Sequence, residues 1–170
     1  MQLKWLGALL IVTACGGCGA IIAFQYLHKI RFCKQFIAVL EYMECELAYR
    51  APALPQLCVQ AAGHTQGVLR NVLLSYAREM ETQIAPDLVL CMSYSMEKIK
   101  TLDEFQRGIL SMFAVNLGHF DIPGQLKGLE HVKMEIGELL TSLLESKNSR
   151  IRSYQTLGLC AGAALVILFV

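Results

Sequence analysis

Across residues 28–152 the apolar side chains recur every three or four positions, the spacing of a helix with one buried face. Phe36, Leu40, Met43 and Leu47 form the first such stripe, and it follows directly on an apolar run before it. The segment APALP (51–55) must end that helix, because proline in a helix interior lacks an N–H and clashes with the preceding turn. Shorter helices are predicted near 55–62, 67–82 and 86–99, with Gly63 and Gly67 separating the first pair and Pro86 in the first turn of the third. TLDE (101–104) fits a capping box with Thr101 as N-cap and Glu104 reaching back. Leu102, Phe105, Ile109 and Met112 or Phe113 then make a stripe that ends at Gly118. A last helix carries Leu126, Leu129, Val132 or Lys133, Ile136, Leu139 or Leu140, and Leu143 at near-heptad spacing. Continued to Val170, it would be about 70 Å long. No segment alternates with a period of two. The pattern predicts an all-α fold, a bundle of about six helices.

The two ends break the amphipathic pattern. Residues 5–27 contain no charge and would span about 34 Å as a helix. Residues 153–170 are also uncharged and would span roughly 27 Å. Both lengths suit a bilayer core, so the expected organisation is a transmembrane helix in 1–27, a cytoplasmic bundle in 28–152 and a second transmembrane helix in 153–170. A cleaved secretory signal would account for the first run but not the second. Lys29, Arg31 and Lys34 follow the first run, and Lys147, Arg150 and Arg152 precede the second. The positive-inside rule then puts the bundle in the cytoplasm and both termini outside. The expected location is the cell membrane, with the chain crossing it twice. An alternative reads VTAC, ending at Cys15, as a lipoprotein cleavage site, which would put the helical domain outside the cell on a lipid anchor. The apolar run continues past Cys15 through Ile21, Ile22 and Phe24, which favours the membrane helix.

Charge and chemistry narrow the function. Fifteen basic and fourteen acidic residues nearly cancel, so the chain carries no electrostatic footprint for nucleic acid. The seven cysteines have no regular spacing, as expected of a reducing compartment. His64, His119, His131 and Asp121 show no helix-ligand spacing, and the CxxC of Cys15 and Cys18 lies inside the apolar run. No GxSxG or phosphate-cradling loop occurs, so neither catalytic residues, a cofactor nor a metal is expected. A membrane-tethered enzyme is the competing class, and it would need these polar residues to converge in a cleft. Glu41, Glu44 and Glu46 form the densest acidic cluster, read as a solvated or partner-facing surface. Gly158 and Gly162 form GxxxG, and Gly16 with Ala20 and Gly19 with Ala23 repeat that spacing in the first run. Small residues at this spacing let membrane helices pack closely. NLGHFDIPGQ (116–125) reads as a helix corner. Gly118 would supply a left-handed C-cap, Asp121 the next N-cap, and Pro123 a first-turn residue.

Three stretches carry a family resemblance. MECELAY (43–49) resembles LExEIxY, matching Glu44, Glu46 and Tyr49; LGHFDIPGQ (117–125) resembles LGxxDxxxQ, matching Gly118, Asp121 and Gln125; LGLCAGAALVILFV (157–170) resembles LGxxxGxxxxxxL, matching Gly158 and Gly162. Together they make the chain similar, over essentially its whole length, to the stage III sporulation protein AB family of endospore-forming Firmicutes. After Tyr49 the chain departs from the family's Thr-Pro-Leu, reading Arg-Ala-Pro-Ala-Leu. The resemblance implies a non-enzymatic scaffold in the mother-cell membrane, part of the secretion-like channel that links mother cell to forespore. It also implies a fold similar to the cytoplasmic domain of type II secretion platform proteins. The implied partners are a separate ATPase, stage III sporulation protein AA, and the membrane proteins of the same operon, with Glu44, Glu46 and Tyr49 facing a partner.

Overall fold

Among the described residues six α-helices follow one another: α1 (Gln2–Arg50), α2 (Leu54–Gly63), α3 (Gly67–Glu81), α4 (Leu88–Glu97), α5 (Glu104–Asn116) and α6 (Ile122–Phe169). The computed structural model describes the backbone of residues 2–82, 87–117 and 121–169, and the side chains of 24–82, 87–117 and 121–145. No strand occurs among the described residues. The chain divides into two compact units, 1–30 with 141–170, and 31–140. The first unit holds both apolar runs. Among the described residues no helix is long and apolar enough to cross a membrane. The runs expected to do so, with Gly16, Gly19, Gly158 and Gly162, lie outside the described side chains except for residues 24–27.

Within unit 31–140, α2 packs on α3, α3 on α4 and α4 on α5. The stripe read on α1 is the buried one: Phe36, Leu40 and Met43 are fully buried and Leu47 nearly so. Full burial of such a side chain contributes about 1.5–3 kcal/mol, so this face alone fixes the rotation of α1. Three helices meet at Phe113 of α5, whose ring lies edge-on to Phe36 of α1 at 5.4 Å and to Tyr76 of α3 at 6.3 Å. α6 adds Leu129, Val132 and Ile136, all fully buried. Val132 therefore occupies the core position of its heptad, and Lys133 turns toward α1.

The helix ends show where local chemistry competes. α2 begins as expected, with Pro55 in its first turn. α3 begins at Gly67, whose φ of +68° is a conformation that side chains rarely adopt. α4 starts later than predicted, since Asp87 is its N-cap and its carboxylate accepts from the backbone N–H of Val89 (2.9 Å) and Leu90 (3.1 Å). Pro86 lies outside the described residues. The capping box before α5 is also shifted, by two residues. Asp103, not Thr101, is the N-cap, accepting from the Gln106 N–H at 2.7 Å. The Gln106 side chain returns the bond from the Asp103 N–H at 3.2 Å. The sequence offers TLDE and DEFQ in overlapping registers, and starting at Asp103 leaves Leu102 buried ahead of the helix and uses a carboxylate, which caps more strongly than a threonine. α1 stops at Ala51, held at φ 45° with its N–H bonded to the Leu47 carbonyl. Pro52 bars Ala51 from continuing the right-handed helix, and the left-handed exit costs about 1 kcal/mol for a residue with a Cβ.

Candidate functional site

The expected partner-facing residues lie on the last two turns of α1, beside its buried face. Met43 and Leu47 are buried, which draws Glu44 to the edge of the core. There its carboxylate pairs with Lys133 of α6, both side chains being less than one-third exposed. The other Glu44 oxygen, Oε1, is buried without a hydrogen-bond partner. Glu46 is also largely covered and pairs with Arg50 one turn on, at 3.6 Å. Tyr49 differs: the residue is 87% exposed. Of the three motif positions, Glu44 is engaged inside the bundle, Glu46 within its own helix, and Tyr49 faces solvent beside the exposed Arg50.

The histidines do not converge. His64 caps the end of α2 and stacks obliquely on Tyr42 of α1, with ring centroids 4.1 Å apart. His131 lies one turn before Glu135 on the exposed side of α6, at 3.3 Å, a contact that becomes an ion pair when the ring is protonated. His119, like Gly118, lies outside the described residues. No group of three His, Cys, Asp or Glu that could hold a metal occurs among the described residues. At the corner, the Asp121 carbonyl accepts the first helical bond of α6 from the Gln125 N–H at 3.0 Å, which puts Asp121 at the N-cap position.

Cysteine environments separate cleanly. Cys33, Cys58 and Cys91 are buried, whereas Cys45 is exposed on α1. Burial pushes the Cys33 thiol up to about 11 and the Cys58 thiol up to about 12, and raises Cys91 as well. Such thiols are inert at neutral pH, because the thiolate is the nucleophile. Tyr76 is fully buried and its hydroxyl has no hydrogen-bond partner. Its phenol is raised by burial first, then by the neighbouring Cys58, Cys91 and Asp87. Tyr76→Phe removes that orphaned hydroxyl and keeps the ring against Phe113. Chemical denaturation should show stability unchanged or higher by about 1 kcal/mol; a loss of that size would mean the hydroxyl has a partner.

Two surface hollows had no counterpart in the sequence pattern, since each is lined by residues distant in the chain. One, of about 400 Å³, is lined by Glu79, Tyr94, Glu97 and Lys98, with Lys98 paired to Glu79 across α3 and α4. The other, of about 430 Å³, lies between α5 and α6 over Phe105, Gly108, Met112 and Leu139. Neither gathers a nucleophile with a base.

A sequence model of the family described as stage III sporulation protein AB matches residues 4–170. A solved structure described as stage III sporulation protein AB is similar at a TM-score of 0.60 with 16% identity, over 72% of this chain and 98% of that one. At that identity the likeness concerns the fold. No match is found among curated proteins.

Proposed function

The chain belongs to the stage III sporulation protein AB family, and on that premise we propose that it is a non-enzymatic membrane scaffold of the mother cell–forespore channel, coupling a separate ATPase to the membrane assembly. In this reading the runs 5–27 and 153–170 cross the mother-cell membrane and the bundle stands in the cytoplasm. Residues 1–30 and 141–170 forming one compact unit supports a pairing of the two runs through Gly16, Gly19, Gly158 and Gly162. The observation that carries the coupling role is Tyr49. It is a nearly bare aromatic ring beside Arg50, and these two residue types dominate interface hot spots. It sits at the end of α1, which runs as one helix from the first apolar run to Arg50. A load applied at Tyr49 would therefore act on the same helix that enters the bilayer.

The test is co-purification of the full chain with the AA-type ATPase from sporulating cells. Tyr49→Ala should reduce recovery roughly tenfold or more, as loss of a hot-spot aromatic does, while Tyr49→Phe retains it. Undiminished recovery with Tyr49→Ala would remove Tyr49 from the interface. Orientation has its own probe in Cys45, the exposed thiol among Cys33, Cys45, Cys58 and Cys91. With Cys15, Cys18 and Cys160 replaced by Ala, a membrane-impermeant maleimide should label Cys45 only after permeabilisation. Ready labelling in intact cells would put the bundle outside.

A further inference from the structure

Charge is segregated along this chain in a way its near-zero total conceals. Residues 35–146 hold all fourteen acidic residues but only eight basic ones, a net charge of −6. The short stretches 28–34 and 147–152 hold Lys29, Arg31, Lys34, Lys147, Arg150 and Arg152 with no acidic residue between them. Each stretch directly adjoins one of the apolar runs on its own helix, at the end of 5–27 and the start of 153–170. On α1 the burial of Phe32, Cys33 and Phe36 fixes the helix rotation, and it leaves Arg31 and Lys34, three residues apart, exposed on a shared side.

We propose that the two basic stretches bind the headgroups of anionic phospholipids. The proposal rests on the reading that the adjoining runs lie in the bilayer. A helix leaving the hydrocarbon core carries its next two turns through the headgroup layer, about 10 Å deep for seven residues. Lysine and arginine stems there can lie along the apolar boundary while the charge reaches phosphate. Attraction of a basic side chain to an anionic leaflet falls off within a Debye length, about 8 Å in physiological salt. It therefore acts on 28–34 and 147–152, which adjoin the apolar runs. The arrangement selects lipid.

The experiment uses the full chain reconstituted in phosphatidylcholine bilayers doped with chain-spin-labelled phosphatidylglycerol or phosphatidylcholine. Electron spin resonance reads the fraction of each lipid immobilised at the protein. Phosphatidylglycerol should associate about fivefold more strongly than phosphatidylcholine, the factor expected for one well-placed basic residue. The preference should collapse toward equality in about 1 M salt and when all six basic residues are replaced by Gln. Arg31→Gln with Lys34→Gln alone should reduce it, and this milder variant decides the matter if the sixfold one no longer inserts. Inorganic phosphate should do no more than sodium chloride at equal ionic strength; selective displacement by phosphate would mark a free-anion site and overturn the proposal. Immobilised lipid without preference would overturn it while leaving the membrane reading intact. No immobilised lipid at all would overturn the membrane reading itself.

Discussion

Gly128→Ala is expected to destabilise the bundle by about 2–3 kcal/mol, near the upper end of overpacking effects. A Cβ at this position would lie 2.1 Å from the Asn116 carbonyl oxygen and 3.0 Å from its carbonyl carbon. Those are backbone atoms at the last turn of α5, so no side-chain rotation relieves the contact, and α5 and α6 must separate. The higher helix propensity of alanine recovers only about 1 kcal/mol. Thermal unfolding of the full chain in detergent should move down by roughly 10 °C. Gly137→Ala is the matched control, since a Cβ there meets nothing within 4 Å, and it should leave the midpoint equal or slightly higher. Equal midpoints for the two variants would mean that the α5–α6 approach is looser than described.

Removing Lys133 should be the other large effect. Lys133→Met leaves the Glu44 carboxylate in its part-buried position with Oε1 already lacking a hydrogen-bond partner. Breaking one side of such a pair should cost about 1–3 kcal/mol, below the 3–5 of a fully buried pair because both groups keep some solvent. Replacing both residues by Met should recover most of the loss, since desolvating two charges is itself unfavourable. Denaturant midpoints for the single and double variants close a double-mutant cycle whose interaction term isolates the pair. An interaction term near zero would demote the contact to a surface ion pair. A charge reversal at Glu44 would also loosen α6 against α1, so its effect on the proposed interface would not separate a contact face from a packing defect. Tyr49 is the cleaner probe.

Most of the bundle is legible in the chain, for a reason seen in particular residues. Phe36, Leu40, Met43 and Leu47 are buried where their spacing puts them, because a helix face is a local property of three or four turns. Pro52 and Pro55 delimit α1 and α2 because proline acts on its own backbone. The boundaries set by capping were less legible. TLDE and DEFQ are both acceptable boxes, and the burial of Leu102 accompanies the register that forms. Of the motif MECELAY, the spacing shows that Glu44 and Glu46 point different ways around the helix. It does not show that one of them meets a lysine 89 residues later.

By itself the sequence determined the helical class, the order of the helices, the two apolar runs and the segregation of charge around them. These depend on composition and on contacts within a few turns. Only the tertiary structure decided which charges pair between helices, Glu44 with Lys133 and Glu79 with Lys98, which of Cys33, Cys45, Cys58 and Cys91 stays exposed, and why Gly128 must be glycine. Each of these depends on which helices lie side by side. That proximity arises when separate apolar faces merge into one core, and no local pattern records it.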